Sequence, residues 1–148
     1  MENVVVNELN ALLKGESMAI DAYERFIQDV EDKKIKREFQ EIQQDHKKHA
    51  GELFNQIQNL GGKPDSNTGF TGFMASAKAA MENMKETEPI QILKKAYDGE
   101  DKGIAMAQEI VKGDLDLESA EIVKKILSVD HDHLKKMLNL ITEIQEKH

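Results

Sequence analysis

The sequence predicts an all-α protein, an antiparallel four-helix bundle with one long crossover that carries a short extra helix. Three observations predict it. Apolar residues recur at spacings of three and four along most of the 148 residues, and no stretch alternates apolar and polar positions as a half-buried strand would. The connections are of two kinds, short ones at Asp32-Lys33 and Lys112-Gly113-Asp114 and one long segment over 61–88 bearing Gly61, Gly62, Gly69 and Gly72. The chain also repeats itself. When Glu16 is slid onto Glu100, Leu9 falls on Leu93, Phe26 on Ile110, Ile42 on Ile126, Leu53 on Met137 and Ile57 on Ile141 without a gap. Two similar helical hairpins are expected.

The first helix is expected from about residue 3 to 31, with Leu9, Leu13, Glu16, Ile20, Tyr23, Ile27 and Val30 on its inner stripe. Asp32-Lys33 leaves room only for a short turn, so the second helix, over about 33–60, must return antiparallel. Its stripe is Phe39, Ile42, His46, His49, Leu53, Ile57 and Leu60, and Gly61-Gly62-Lys63-Pro64 supplies the stop. The segment over 61–88 is long enough to carry the chain to the other end of the bundle, and Phe73 to Met84 reads as a short helix capping apolar surface with Met74, Met81 and Met84. Thr87 and Pro89 open the third helix, whose stripe is Leu93, Ala96, Glu100, Gly103, Ala107 and Ile110. Asp116 is the expected N-cap of a fourth helix with Val123, Ile126, Asp130, His133, Met137, Ile141 and Ile144 inward.

The residues that carry chemistry follow from the same repeat, because it also sets His46 on Asp130 and His49 on His133. Glu16 and the His46/His49 pair lie at similar distances on either side of the first turn, and Glu100 and the Asp130/His133 pair do so about the second. At about 1.5 Å rise per residue, six ligand-type side chains therefore meet near mid-bundle on otherwise apolar stripes. Buried without partners, such groups would cost several kcal/mol each, at roughly 2–7 kcal/mol for a polar group, and a bound cation removes that penalty. Imidazole with carboxylate suits iron, manganese or zinc. The ordinary alternatives are a charged residue at a stripe edge for Glu16 and Glu100, and a partly exposed basic patch for Asp45-His46-Lys47-Lys48-His49. Recurrence of the pattern in both hairpins favours the metal. In Asp130-His131-Asp132-His133 the stripe selects the outer two, leaving His131 and Asp132 to solvent.

The pattern resembles the ferritin-like superfamily of rubrerythrin- and bacterioferritin-like bundles, in which each half supplies a Glu and then a Glu-x-x-His and the six side chains hold two irons. The likeness covers about residues 3 to 147. In detail it is similar to small bacterial ferritin-like proteins of unknown function, through Leu12-Leu13-Lys14-Gly15-Glu16, the His-Ala-Gly-Glu-Leu of residues 49–53 and Asn59-Leu60-Gly61-Gly62-Lys63-Pro64. The resemblance implies Fe²⁺ oxidation or reaction with oxygen or peroxide, with Glu16 and Glu100 as terminal ligands, His49 and His133 as one imidazole per metal, and Tyr23 near the centre. This chain departs from the pattern where the bridging glutamates belong: His46-Lys47-Lys48-His49 and Asp130-His131-Asp132-His133 replace Glu-x-x-His. A neutral imidazole has one lone pair, so His46 cannot bridge as a carboxylate does, and Asp130 is one methylene shorter than Glu.

Composition bounds the rest. The length fits a single domain, residues 1–148. Cysteine is absent, which excludes disulfides and thiolate ligands. A formal charge of -8 argues against nucleic acid as a partner, and Met1-Glu2-Asn3-Val4-Val5-Val6 has neither the basic start nor the apolar length of a signal peptide or membrane span, so a cytoplasmic protein is expected. The absence of a clear fifth helix argues against a storage shell, and a homodimer is a plausible assembly for an amphipathic bundle. The competing expectation is a non-catalytic bundle, a stress or assembly partner whose site is empty or holds zinc.

Overall fold

The computed structural model describes residues 2–65 and 88–147. Four helices make up almost all of them: α1 (Glu2–Asp29), α2 (Lys33–Asn59), α3 (Pro89–Val111) and α4 (Leu117–Glu146). The short helix expected at Phe73 to Met84, with Met74, Met81 and Met84, lies outside the described residues, as does Thr87.

Local chemistry sets the helix ends. Helix α1 stops at Asp29, two residues short of the expected end, because Asp32 is extended and caps α2, its side chain accepting from the Ile35 N–H at 3.0 Å. At the other end of α2 the Gly62 N–H donates to the Ile57 carbonyl and the Gly61 N–H to the Gln58 carbonyl, each at 2.9 Å, with Gly61 at φ 82°. That pairing is a Schellman motif, and its left-handed residue favours glycine. Gly62 closes the chain against α1, since a Cβ there would lie 2.7 Å from Val6 Cγ1. Pro89 occupies the first turn of α3, and Asp116 caps α4 by accepting from Ser119 N–H at 3.3 Å.

Helices α1 and α2 form one hairpin and α3 and α4 the other; α1 packs on α3 and α2 on α4. Both cross-hairpin pairs are antiparallel. Gly113 lies near Glu8 and Gly15 near Met106, while Lys34 meets Glu143 and Gln56 meets Ser119. The end of α2 and the start of α3 are thus at opposite ends of the bundle, as a single long crossover requires.

The core divides into two apolar clusters. Tyr23, Phe26, Val30, Ile35, Phe39, Ile42, Ile92, Leu93, Ala96, Met137, Leu140 and Ile141 fill the end near the α1–α2 turn. Leu9, Leu12, Leu13, Leu53, Ile57, Ala107, Val123 and Ile126 fill the other. Most of the expected inner-stripe residues are buried, but Ile20, Ile27, Leu60, Ile110 and Ile144 are only half-buried and Gly103 is exposed, while Phe26 and Ile104 are buried beside Ile27 and Gly103. Phe26 turns inward because Tyr23 and Phe39 offer it aromatic partners, at ring-centroid distances of 5.6 and 5.7 Å. None of the described helices is long and apolar enough to cross a membrane.

Candidate metal centre

Between the two apolar clusters lies a polar layer to which every helix contributes. Helix α1 supplies Glu16, α2 His46 and His49, α3 Glu100, and α4 Asp130 and His133. Exposure is 7 % for Glu16, 6 % for Glu100 and Asp130, 4 % for His46 and His49 and 1 % for His133, so bulk water cannot satisfy these groups. His131 and Asp132 are exposed. All six residues singled out from the sequence are therefore brought into one layer.

His46 occupies its middle. Its Nδ1 lies 2.7 Å from Glu16 Oε2 and its Nε2 contacts Glu100 Oε1. His133 Nδ1 lies 3.3 Å from Glu100 Oε2 and 3.4 Å from Asp130 Oδ1, and His49 Nδ1 lies 3.5 Å from Glu16 Oε1 and 3.7 Å from Asp130 Oδ1. The Tyr23 hydroxyl donates to Glu100 Oε1 at 2.9 Å, and the tyrosine ring stacks on that of His46 at 5.5 Å and 25°.

The electrostatics follow from these contacts. Burial disfavours the charged form of His46, but hydrogen bonds to Glu100 and Glu16 outweigh it and raise the imidazole to about 11. Burial likewise works against ionised Glu100, yet hydrogen bonds with His133 and His46 hold it at about 2. Glu16 is lowered against the same burial by His46 and His49, and His133 is raised by Glu100 and Asp45. Asp130 goes the other way: burial, then the charges of Glu100 and Glu16, push it up to about 7. Burial and the adjacent Glu100 carboxylate raise Tyr23 well above the usual phenol range, keeping its hydroxyl protonated.

Of the four buried side-chain atoms without a hydrogen-bond partner among the described residues, Glu8 Oε2 and Glu38 Oε1 lie elsewhere, whereas His49 Nδ1 and Asp130 Oδ1 belong to the layer and face each other at 3.7 Å. The donor set is suited to a cation. Two groups bring ligand atoms within 4.8 Å of one another, Glu16/His46/His49 and His46/Glu100/Asp130/His133. Ligands about 2.0–2.2 Å from one tetrahedral or octahedral ion sit roughly 3.0–3.6 Å apart. The 3.3–3.7 Å separations of His133 and His49 from their carboxylates are close to that span.

One participant is missing from the sequence reading. Asp45 accepts from, or pairs with, His133 Nε2 at 2.8 Å, which fixes the ring so that Nδ1 faces the cluster. A carboxylate behind an imidazole is a recurrent support for a metal ligand. Its sequence signal is only its place beside His46. It lies off the buried stripe, with a side chain 43 % exposed, and its partner is on another helix.

The fold is that of a ferritin-like four-helix bundle. Residues 4–113 match the family described as a domain of unknown function, DUF2383, and the chain belongs to that family. The match spans Glu16, His46, His49 and Glu100 and stops before Asp130 and His133. Among solved structures the chain is similar to a two-domain protein of Anabaena variabilis with DJ-1/ThiJ/PfpI-like and ferritin-like domains, at 19 % identity and a TM-score of 0.83, covering 100 % of this chain and 39 % of that one. The chain thus spans well under half the length of that protein. It is also similar to the bacterioferritin-related protein of Bacteroides fragilis, a dodecameric thioferritin, at 21 % identity, TM-score 0.83 and coverage of 98 % and 88 %. A third likeness is to a ferritin-like diiron-carboxylate protein of Bacillus anthracis, at 21 % identity, TM-score 0.71 and coverage of 94 % and 96 %. No curated protein matches. At these identities the likeness establishes the fold.

Proposed function

We propose that this protein binds metal at the mid-bundle layer through Glu16, His46, His49, Glu100, Asp130 and His133, that the metal is iron, with two ions per chain, and that the protein oxidises Fe²⁺ with oxygen or peroxide. The reading takes residues 1–148 as one domain. The observation that carries it is the pair of orphaned atoms, His49 Nδ1 and Asp130 Oδ1, buried and facing each other among other ligand-type atoms. A bundle that needed no cation could fill these positions with apolar side chains at no cost. The diiron-carboxylate description of the Bacillus anthracis structure supports iron over manganese or zinc.

When bound, iron would supply electrons for reducing oxygen or peroxide. The chain's own groups have separate tasks. The carboxylates of Glu16 and Glu100 stay ionised under burial because imidazoles face them, so they are ready to receive a cation. Asp130 and His46 carry protons that an incoming cation must displace, which couples binding to pH. Tyr23 holds its hydroxyl proton against Glu100 and covers one face of His46, and the apolar clusters on either side keep bulk water away. A cytoplasmic setting, where Fe²⁺ is available, belongs to this reading. So does self-association, a homodimer at least, which the dodecameric Bacteroides fragilis relative supports.

A second reading is favoured by one arrangement: His46 pairs with both Glu16 and Glu100, so protons alone offset part of the burial cost. On that reading the bundle is a non-catalytic stress or assembly partner with an empty or zinc-bearing site. Anaerobic loading with Fe²⁺ followed by exposure to oxygen separates the two. The first predicts protein-dependent oxygen consumption that is lost in Glu100→Ala. An oxygen uptake equal to that of free Fe²⁺ would remove the oxidase claim.

A further inference from the structure

We propose that His46 bridges two metal ions, one at each ring nitrogen, in the position where the repeat of the sequence would otherwise set a carboxylate. The proposal rests on the metal-site reading above and specifies its geometry. The two candidate ligand groups have one member in common, His46. Its nitrogens point to opposite groups, Nδ1 toward Glu16 of the first and Nε2 toward Glu100 of the second. The ring is fixed in that orientation by Tyr23 stacked on its face and by the His49 and His133 rings packed edge-on at 5.8 and 5.3 Å. Two ions meeting these groups therefore lie off opposite edges of one imidazole.

The remaining ligands divide accordingly. Glu16 and His49 complete the site at Nδ1. Glu100, Asp130 and His133 complete the site at Nε2, Asp130 Oδ1 being nearer to His133 Nδ1 at 3.4 Å than to His49 Nδ1 at 3.7 Å. With each ring nitrogen against a carboxylate the metal-free ring carries two protons, so the first ion displaces one and the second displaces the other, both released to solvent; each ion then takes one lone pair and no electron is transferred. With metal–nitrogen bonds of about 2.0–2.1 Å on both sides, the ring holds the ions roughly 6 Å apart. Ions that share a site in the usual two-metal arrangement are about 3.5–4 Å apart.

Because the step is not a redox one, Co²⁺ serves as the probe. The full chain is loaded anaerobically with Co²⁺, counted by elemental analysis, and the metal–metal separation is read by X-ray absorption and by anomalous diffraction at the cobalt edge. The expected result is two Co²⁺ per chain, no cobalt scatterer near 3.5–4 Å, and anomalous peaks roughly 6 Å apart with the His46 ring between them. His46→Glu, checked for helicity by circular dichroism, should keep two ions and shorten the separation to about 3.5–4 Å. Two ions already at the short separation in the wild type, or one ion only, would overturn the bridge while leaving a metal site. No bound cobalt in the wild type would overturn the metal-site reading and the bridge with it.

Discussion

Replacing Asp45 by Ala should weaken metal binding at one position of the centre while leaving the bundle folded. Among the described residues the Asp45 carboxylate hydrogen-bonds to His133, through the 2.8 Å contact to Nε2, and its removal frees that ring to rotate or to change which nitrogen carries its proton. Loss of such a supporting carboxylate costs about 10–100-fold in metal affinity, equivalent to about 1.4–2.8 kcal/mol. With the Asp45 side chain 43 % exposed, water can replace part of the contact, so the lower end applies: about tenfold, or roughly 1.4 kcal/mol. The metal-free protein should lose less than about 1 kcal/mol, as partly exposed ion pairs do. A competition titration of Co²⁺ between the protein and a coloured chelator resolves the binding steps. One step should weaken about tenfold and the other stay within about twofold; Asp45→Asn, whose amide oxygen still accepts a hydrogen bond, should fall between. Two unchanged binding steps in Asp45→Ala would refute the supporting role.

Three other outcomes are expected. Gly61→Ala forces a Cβ into a left-handed residue at φ 82°, so it should destabilise the protein by about 1–2 kcal/mol in chemical denaturation; an unchanged midpoint would discount the Schellman turn as a stabilising feature. Tyr23→Phe removes the hydroxyl that donates to Glu100 but leaves His46 and His133 on that carboxylate, so a loss of about 1–2 kcal/mol with the fold retained is expected. The metal-free protein should be most heat-stable in mildly acidic solution. The contribution of Glu100, lowered from 4.5 to about 2, is present above pH 4.5 and lost as pH falls toward 2. His46, raised from 6.5 to about 11, contributes fully below pH 6.5 and loses that contribution as pH rises toward 11. Asp130, raised from 3.8 to about 7, favours the native state below 3.8 and loses that advantage by about pH 7. Metal displaces these protons, so loading should move the optimum upward; scanning calorimetry of both forms across pH checks the sign, and a metal-free optimum above pH 8 would contradict it.

The architecture was legible because helical periodicity and turn chemistry are local. Asp32, Gly61, Pro89 and Asp116 act at the ends where their types predict, and the six ligand-type residues stand out as polar positions on apolar stripes. What local pattern could not supply was the choice between neighbours one residue apart. Phe26 in place of Ile27 depends on Tyr23 and Phe39, and Ile104 in place of Gly103 depends on where α3 rotates against its neighbours. Asp45 was hidden for a related reason: its partner lies on α4, and a half-exposed aspartate in a charged stretch has no periodic signature. The surroundings of His46 were legible only in part. Its place on the stripe follows from sequence, whereas the opposite directions of its two nitrogens follow from three-dimensional packing.

The most direct test of the metal centre is elemental analysis of the protein after native purification and after anaerobic Fe²⁺ loading with removal of unbound metal. The account predicts close to two irons per loaded chain, falling in Glu100→Ala and His133→Ala variants that remain helical. A loaded wild-type protein without bound metal, or full occupancy in both variants, would contradict it.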